Sequence, residues 1–563
     1  LKKIEIKFPS LQGPVPLLTL GILFLFTVCV YPFVVLLGKV FFSAEGGGFS
    51  FQYLAEILES ASTYTAILNT LLIATGTTLL CSFIAIPLAW MLVRTNLPGA
   101  SRLRSWCSLP YAIPPYIGAI AWIYLANPSN GILNLLLGKS IFNVYSFGGL
   151  IWVMSSFFFT FILLSLLSAL DRMDSSLEEA ARLSGARPTQ VFFRITLPLI
   201  LPALISGALL VFLASAASFG VPALIGSPAR IFLMTTKIYT FQKMGSLRGI
   251  YLAAALSSLL LLFALVILVL NQRLIKKLSF QVVSGKASRP SLIDLGRWKN
   301  PLFLGILCFV GLVLVLPLGG ILITALSSVQ GRFSFDNFGL QNFRNVFFGI
   351  SETPRALKNS LILGVGAATF ATFLGMLLSY VQWKTKLKGR RLLDIFASLP
   401  YAAPGTVVAL ALIISFSGPF LGFGPSLYNT LWILWLAYVI KFLSFSIRTT
   451  GDGFGQIDDC LAEAARVSGA SWWVTLKTIW YPLMKPSLVA AWFLIFMPAF
   501  SELTMTVLLT GPGMETVGTL LFQLQEYADV SGGGAAVLAL VIICAVALIN
   551  WLVKLLSKGK YGL

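Results

Sequence analysis

Residues 178–186 read EEAARLSGA, and residues 462–470 read AEAARVSGA. Each phrase describes a short polar helix with a built-in stop. Asp174 or Ser175 can cap the first copy, and Glu178 and Glu179 sit in its first turn, where the helix dipole favours acids. Paired alanines follow, strong helix formers with small profiles that let another surface approach. Gly185 and Gly469 then supply the turn that ends each helix. Such helices are out of character for this chain. Charged residues make up 11% of 563 positions and hydrophobic ones 57%, with a mean hydropathy of +0.89. A polar phrase written twice, 284 positions apart (Glu179 to Glu463), inside so apolar a chain points to a duplicated membrane protein.

Working outward, apolar runs near the ~20 residues needed to span a bilayer occur at 15–38, 66–93, 106–126, 148–170, 198–218 and 249–270. They recur at 301–325, 360–383, 393–416, 428–449, 486–507 and 534–556. The expected fold is an all-α membrane protein of about twelve transmembrane helices. The first run is too long for a signal-peptide core and is expected to remain as an anchor.

Net charge is +20, from 40 basic and 20 acidic residues. In a soluble chain this would suggest nucleic acid, but its distribution excludes that reading. Glu45, Glu56 and Glu59 occupy the first connection, with no Lys or Arg between residues 41 and 64. Arg94, Arg102 and Arg104 follow the second run, and Lys276, Lys277, Lys286, Arg289 and Arg297 fill the middle linker. Lys384, Lys386, Lys388, Arg390 and Arg391 follow the eighth run. These segments fall on one side of a twelve-span layout, which the positive-inside rule makes cytoplasmic, with both termini there. Arg230, Lys237, Lys243 and Arg248, with Arg332, Arg344, Arg355 and Lys358, are exceptions in two outside loops that suit a docking surface.

Histidine is absent, which removes His-metal sites and His-dependent triads and dyads. The six cysteines, at 29, 81, 107, 308, 460 and 544, form no CxxC pair and read as small apolar filler. No metal-ligand cluster or nucleophile–base pair emerges, so the chain is read as a transport subunit, not an enzyme, binding no cofactor itself.

Further repeats fix the organisation. ILNTLLIATGTT at 67–78 matches LKNSLILGVGAA at 357–368, and SLPYAIPPY at 108–116 matches SLPYAAPGT at 398–406, both 290 positions on. After one short length change the offset becomes 284, carrying Pro198 and Pro202 onto Pro482 and Pro486. Residues 1–270 and 301–563 are therefore two six-helix repeats in parallel orientation, joined by a basic cytoplasmic linker at 271–300. A pathway between two such halves is the natural expectation.

The phrase also carries a resemblance. Its pattern, E-A-A-x3-G-x9-I-x-L-P, resembles the motif of the permease subunits of bacterial ATP-binding-cassette (ABC) importers of type I. Glu179, Ala180, Ala181, Gly185, Ile195, Leu197 and Pro198 fit each position; Glu463, Ala464, Ala465, Gly469, Ile479 and Pro482 repeat it, with Tyr481 replacing Leu. The resemblance implies that these segments, with Arg182 and Arg466, are coupling helices docking two copies of a separate ATPase. ATP and Mg would belong to that partner. The chain's nearest approach to a phosphate-binding loop, VSGKAS at 283–288, has Phe280 where the first glycine belongs. The resemblance further implies a periplasmic or lipid-anchored binding protein outside, a bacterial inner-membrane location, and no nucleic-acid partner.

Proline removes backbone hydrogen bonds, and irregular backbone inside a membrane is tolerated where it lines a cavity. Pro110, Pro114, Pro115, Pro400 and Pro404 in the third and ninth runs are thus candidates to shape the pathway, with hydroxyls from Tyr111, Tyr116 and Tyr401. Glu502, and Ser218 at the equivalent place, are expected near the outer end of a span, where Glu502 could meet a cationic or metal-bearing cargo. Lys441, whose counterpart is Phe157, is expected to snorkel to the inner surface, too far from Glu502 for a direct pair.

Two halves fused, with LPYAIPPYIGAIAW in one and ELTMTVLL before GPGMETVGTLLF in the other, resemble the ferric-iron branch of the family. Ferric ion prefers carboxylate and phenolate oxygen, which Glu502 and the tyrosines can supply. Thiamine, polyamine, 2-aminoethylphosphonate and sugar phosphate are the alternative cargoes. An ion-driven secondary transporter is the alternative machine; the doubled motif and the lack of an acidic relay in the spans argue against it.

Overall fold

The computed structural model describes residues 15–41, 48–278, 292–332, 334–385, 390–418, 425–526 and 533–556. Among these there is no strand beyond two isolated bridges. Ten helices are long and apolar enough to cross a bilayer: Thr19–Phe41, Ala61–Arg94, Phe147–Arg172, Pro188–Ala217, Leu247–Ile275, Gly296–Leu326, Glu352–Lys384, Leu431–Gly455, Trp472–Phe500 and Gly533–Val553. The third and ninth runs carry the irregular backbone that their prolines lead one to expect. Each is a broken pair, Ala100–Ala112 with Pro115–Ala126 bent by 95° and Ile395–Ala402 with Gly405–Phe416 bent by 110°. Pro114 and Pro404 stand at the breaks in extended conformation and begin the second helix of each pair. A residue before proline resists the α region, and proline itself cannot continue the ladder, so the helix stops and restarts.

Proline shapes other spans more gently. Wide π-helical turns occupy 26–30, 192–196, 311–315 and 476–480, and Pro32, Pro198, Pro317 and Pro482 each follow two residues later. A proline lacks the N–H its helix would use, and widening the preceding turn is how the ladder absorbs that loss.

The repeat is visible bond by bond. Asn69 Nδ2 donates to the Phe232 carbonyl at 3.1 Å, and Asn359 Nδ2 to that of Glu515 at 2.9 Å. Thr70 Oγ1 accepts from Met234 N at 2.9 Å, and Ser360 Oγ from Val517 N at the same distance. Tyr111 meets Phe161 edge-on at 5.3 Å; Tyr401 meets Phe445 at 5.1 Å.

The halves also interleave. Helix 19–41 touches helix 247–278 of its own half and packs on the second, with Phe24 against Phe370 and Phe26 against Phe396. In return helix 296–326 lies on the first half, Phe309 against Phe159 and Gly320 tight to Leu125. A Cβ at Gly320 would lie 3.0 Å from the Leu125 side chain, so the two helices approach closely there. The described end of the linker is strapped to the first half: Ile293 N donates to Arg94 O at 2.9 Å, and Asn96 Nδ2 to Asp294 at 2.6 Å. Residues 279–291 of the expected linker lie outside the described residues.

Candidate coupling surface and pathway

Both repeated phrases fold as short helices, Ser176–Leu183 and Asp459–Val467, between long apolar ones. Asp174 Oδ1 accepts from Ser176 N at 3.0 Å, and Asp458 Oδ1 from Cys460 N at 3.0 Å, so an aspartate ties down each start. These bonds hold both carboxyls below the usual carboxylate range. Gly185 and Gly469 take φ of +85° and +79°. Ala186 N then reaches Ala181 O at 3.0 Å and Ala470 N reaches Ala465 O at 2.9 Å, the closure that a left-handed glycine permits.

What these helices present is alike. Ala180, Ala464 and Glu463 are exposed, while Glu179, Ala181 and Ala465 are half-buried. Leu183, 90% exposed, and Val467, 81% exposed, occupy equivalent places and stand out from the polar surface. The Arg466 side chain lies outside what is described.

What lies beneath them differs. Under the first helix Glu178 turns inward, its Oε2 2.8 Å from Arg94 Nε; the two side chains are 3% and 1% exposed. Thr196 Oγ1 donates to the other carboxylate oxygen. Under the second helix the equivalents of Glu178, Arg94 and Thr196 are Ala462, Lys384 and Trp480. Trp480 is buried with Tyr380, Phe454, Met484 and Ala462. Tyr380 meets Trp480 at 5.0 Å and accepts from Trp472 Nε1 at 3.0 Å. Lys384 instead reaches outward to Asp459 at 2.5 Å.

Within the membrane, the broken helices meet residues of both halves. Tyr116, on the first broken pair, is buried and donates to Ser501 O of the second half at 3.0 Å. Beside it, the Trp472–Phe500 helix has ended, and Glu502 caps the short helix Thr506–Leu509. Its carboxylate accepts from Met505 N and Thr506 N, both at 2.9 Å, and from Thr506 Oγ1 at 2.5 Å. Tyr438 completes the cluster, 2.7 Å from Thr506 Oγ1. Lys441, on the Leu431–Gly455 helix, sends its ammonium to the carbonyls of Pro400, Tyr401 and Ala403 at 3.2, 3.3 and 2.6 Å. These are the carbonyls freed where the second broken pair stops.

The matching family model decides the class. It describes the binding-protein-dependent transport system inner membrane component and matches residues 82–279 and again 366–560. The chain belongs to this family. The permease is 27% identical over 495 residues to a putative ferric transport system permease protein, FbpB 1, of Haemophilus influenzae, covering 87% of this chain and 76% of that one. The ferric transport system permease protein FbpB of Actinobacillus pleuropneumoniae is 26% identical over 546 residues, covering 94% and 77%. A putative 2-aminoethylphosphonate transport system permease protein, PhnV, of Salmonella paratyphi A is 30% identical over 229 residues, covering 40% and 84%. The permease is thus an ABC importer subunit of multi-pass, inner-membrane type, built as two fused family domains.

Several expectations for the permease need correction. Glu502 is not inside a span, because its helix stops at Phe500 and the carboxylate is spent on backbone N–H groups of the next turn. Lys441 does not snorkel: its ammonium is held by carbonyls left bare by the helix break. As expected, Lys441 and Glu502 make no ion pair among the described residues. Tyr116 offers no free hydroxyl. Ser218 lies at the end of the 197–217 helix, its carbonyl taken by Thr235 Oγ1 at 2.7 Å. Tyr111 and Tyr401, by contrast, are exposed.

The permease also has working residues that patterning missed. Arg94, Glu178 and Thr196 form its buried anchor. One signal was legible: a cation ends the second span of both halves, Arg94 and Lys384, and the acid is doubled only in the first phrase.

Proposed function

We propose that this permease imports ferric iron, driven by a separate ATPase. Two ATPase copies dock on the Ser176–Leu183 and Asp459–Val467 helices, through Glu179, Ala180, Ala181, Arg182 and Gly185 and through Glu463, Ala464, Ala465, Arg466 and Gly469. The observation that carries the coupling is the pair of identically capped helices that expose Leu183 and Val467 at equivalent places. The cargo rests on the two ferric relatives, which align along most of the chain. ATP and Mg would bind the partner, closing its dimer and moving the two helices together. The binding protein would deliver cargo on the opposite, outer face, with both termini cytoplasmic.

The 2-aminoethylphosphonate relative favours a second cargo, an organophosphonate taken by the same machine. The test is ATP-dependent uptake in proteoliposomes holding the permease with its ATPase and binding protein, offered labelled ferric ion, 2-aminoethylphosphonate, thiamine, polyamine and sugar phosphate. Iron uptake that needs ATP, and is lost with ATPase association in a Glu179→Lys, Glu463→Lys variant, is the expected result. Uptake of a different solute overturns the cargo; uptake driven by an ion gradient without ATP overturns the machine.

A further inference from the structure

Helix 61–94 runs out into an extended residue, Thr95, with φ of −124° and ψ of 162°. Extended backbone has no helical partners for its N–H and C=O groups, so they must be met from elsewhere. The described end of the linker between the halves meets them. Ile293 lies parallel to Thr95, its N donating to Arg94 O at 2.9 Å and its O accepting from Asn96 N at 3.1 Å. The Asn96 side chain closes the join from both directions: Nδ2 donates to Asp294 Oδ1 at 2.6 Å, and Oδ1 accepts from Leu295 N at 3.1 Å. Along the linker Leu292 and Asp294 are exposed while Ile293 and Leu295 are half-buried, the alternation of a strand with one covered face. Asp294 Oδ1 also accepts from Gly296 N at 3.1 Å, and Trp298 N reaches Leu295 O at 3.0 Å. The strap therefore runs into helix 296–326 without slack.

Arg94 is held at two points. Its main chain carries the linker, and its side chain carries the 176–183 helix through Glu178, 2.8 Å away. Arg94 and Thr95 are 1% and 2% exposed. A guanidinium so shielded from water keeps its carboxylate only while its own main chain stays in register, because the pair is directional and has no solvated alternative. The second half closes the same place differently. Thr385 is extended in the same way, with φ of −124° and ψ of 158°. Its carbonyl and that of Gln382 accept from Arg390 of the same half, at 2.8 and 3.1 Å.

We propose that the linker strap, pinned by Asn96 and Asp294, positions Arg94 and through it the first coupling helix, so that the connection between the halves sets how tightly ATP use is tied to transport. Asn96 and Asp294 are positioning residues, acting through Arg94 and Glu178. The transport part rests on the docking proposed above; the mechanical part stands without it.

The first measurement is amide hydrogen exchange in the full purified permease, without its ATPase. Asn96→Asp sets two carboxylates against each other and removes the donor to Asp294. Exchange across 176–186 should rise about five-fold, the effect of losing roughly one net hydrogen bond, while exchange across 459–470 stays as in wild type. Adding Asp294→Asn puts a donor opposite the new acceptor and should restore the wild-type rate. Unchanged exchange at 176–186 in Asn96→Asp, an equal rise in both helices, or a double variant no better than the single overturns the strap's role. The second measurement is labelled solute imported per ATP hydrolysed in the complete reconstituted system, with ferric ion or whichever of the solutes above is carried. Asn96→Asp should lower that ratio several-fold with ATPase co-purification retained, and adding Asp294→Asn should restore it. An unchanged ratio overturns the link to transport. Intact ATPase association in the Glu179→Lys, Glu463→Lys variant overturns the docking reading instead, and the exchange result then decides the strap by itself.

Discussion

Under the 176–183 helix lies a buried ion pair, Arg94 with Glu178; at the equivalent place under the 459–467 helix lie aromatic rings around Trp480. The exposed faces of the two helices are nearly the same, and so are their caps and glycine stops. On the docking proposed above, a paired partner fixes what the surface must look like but places no such demand on the foundation. The charged foundation is directional and intolerant of partial change, because each member desolvates the other. The aromatic one is held by area and shape and tolerates charge changes around it. Lys384–Asp459, the ion pair at the start of the second helix, has an exposed acid and adds little by comparison.

The contrast can be broken most forcefully at Glu178. Glu178→Ala leaves Arg94 buried without its anion and should cost about 3–5 kcal/mol, read as a lower melting temperature in detergent and as lost ATPase co-purification. An Arg94→Met, Glu178→Leu pair should recover most of that loss, since a buried pair can be replaced by apolar groups with little penalty. Equal damage from single and double variants would show that the charge pair is not the foundation. Next in size, Trp480→Ala should destabilise the second helix by about 3 kcal/mol through lost packing and the cavity left behind. That loss should be the same at low and high salt; a salt-dependent loss would mean that charge matters there as well.

The smallest effect tests what the two regions share. Asp174 and Asp458 are each held below the ordinary carboxylate range by a backbone N–H. A depressed folded value means that the caps contribute fully above the unfolded value, ~3.9, and fade as pH falls through the depressed one. Protection factors of the Ser176 and Cys460 amides should therefore hold from neutral pH to about pH 4 and then decline together. Divergence of the two would show that the caps are not equivalent.

Much of this architecture was legible in the chain. Apolar run length located all the long helices, and the offsets of 290 and 284 identified residues that prove to make matching bonds, such as Asn69 and Asn359. The legible features were those written as periodicity or repetition. The illegible ones depend on where a helix stops. The apolar run continues through Leu503 to Leu509, so nothing in hydropathy announces that the helix ends at Phe500 and turns Glu502 into a cap. Lys441 was misplaced for a related reason: its partners are backbone carbonyls, which carry no residue type and exist only because the helix breaks at Ala402. Glu178 was read as a first-turn acid beside Glu179, because pairing it with Arg94 requires knowing that two segments 84 positions apart in the chain meet.

The interleaved first helices have a consequence for how the molecule is made. Helix 19–41 packs on surfaces at 352–384 and 395–416, which leave the ribosome more than three hundred residues later. At ~5–20 residues per second that interval is on the order of 15–60 s. During it, lipid must cover the face that Phe24 and Phe26 later give to Phe370 and Phe396. The first half is thus kept open until its sibling arrives, and fusion into one chain ensures that the sibling is always the right one.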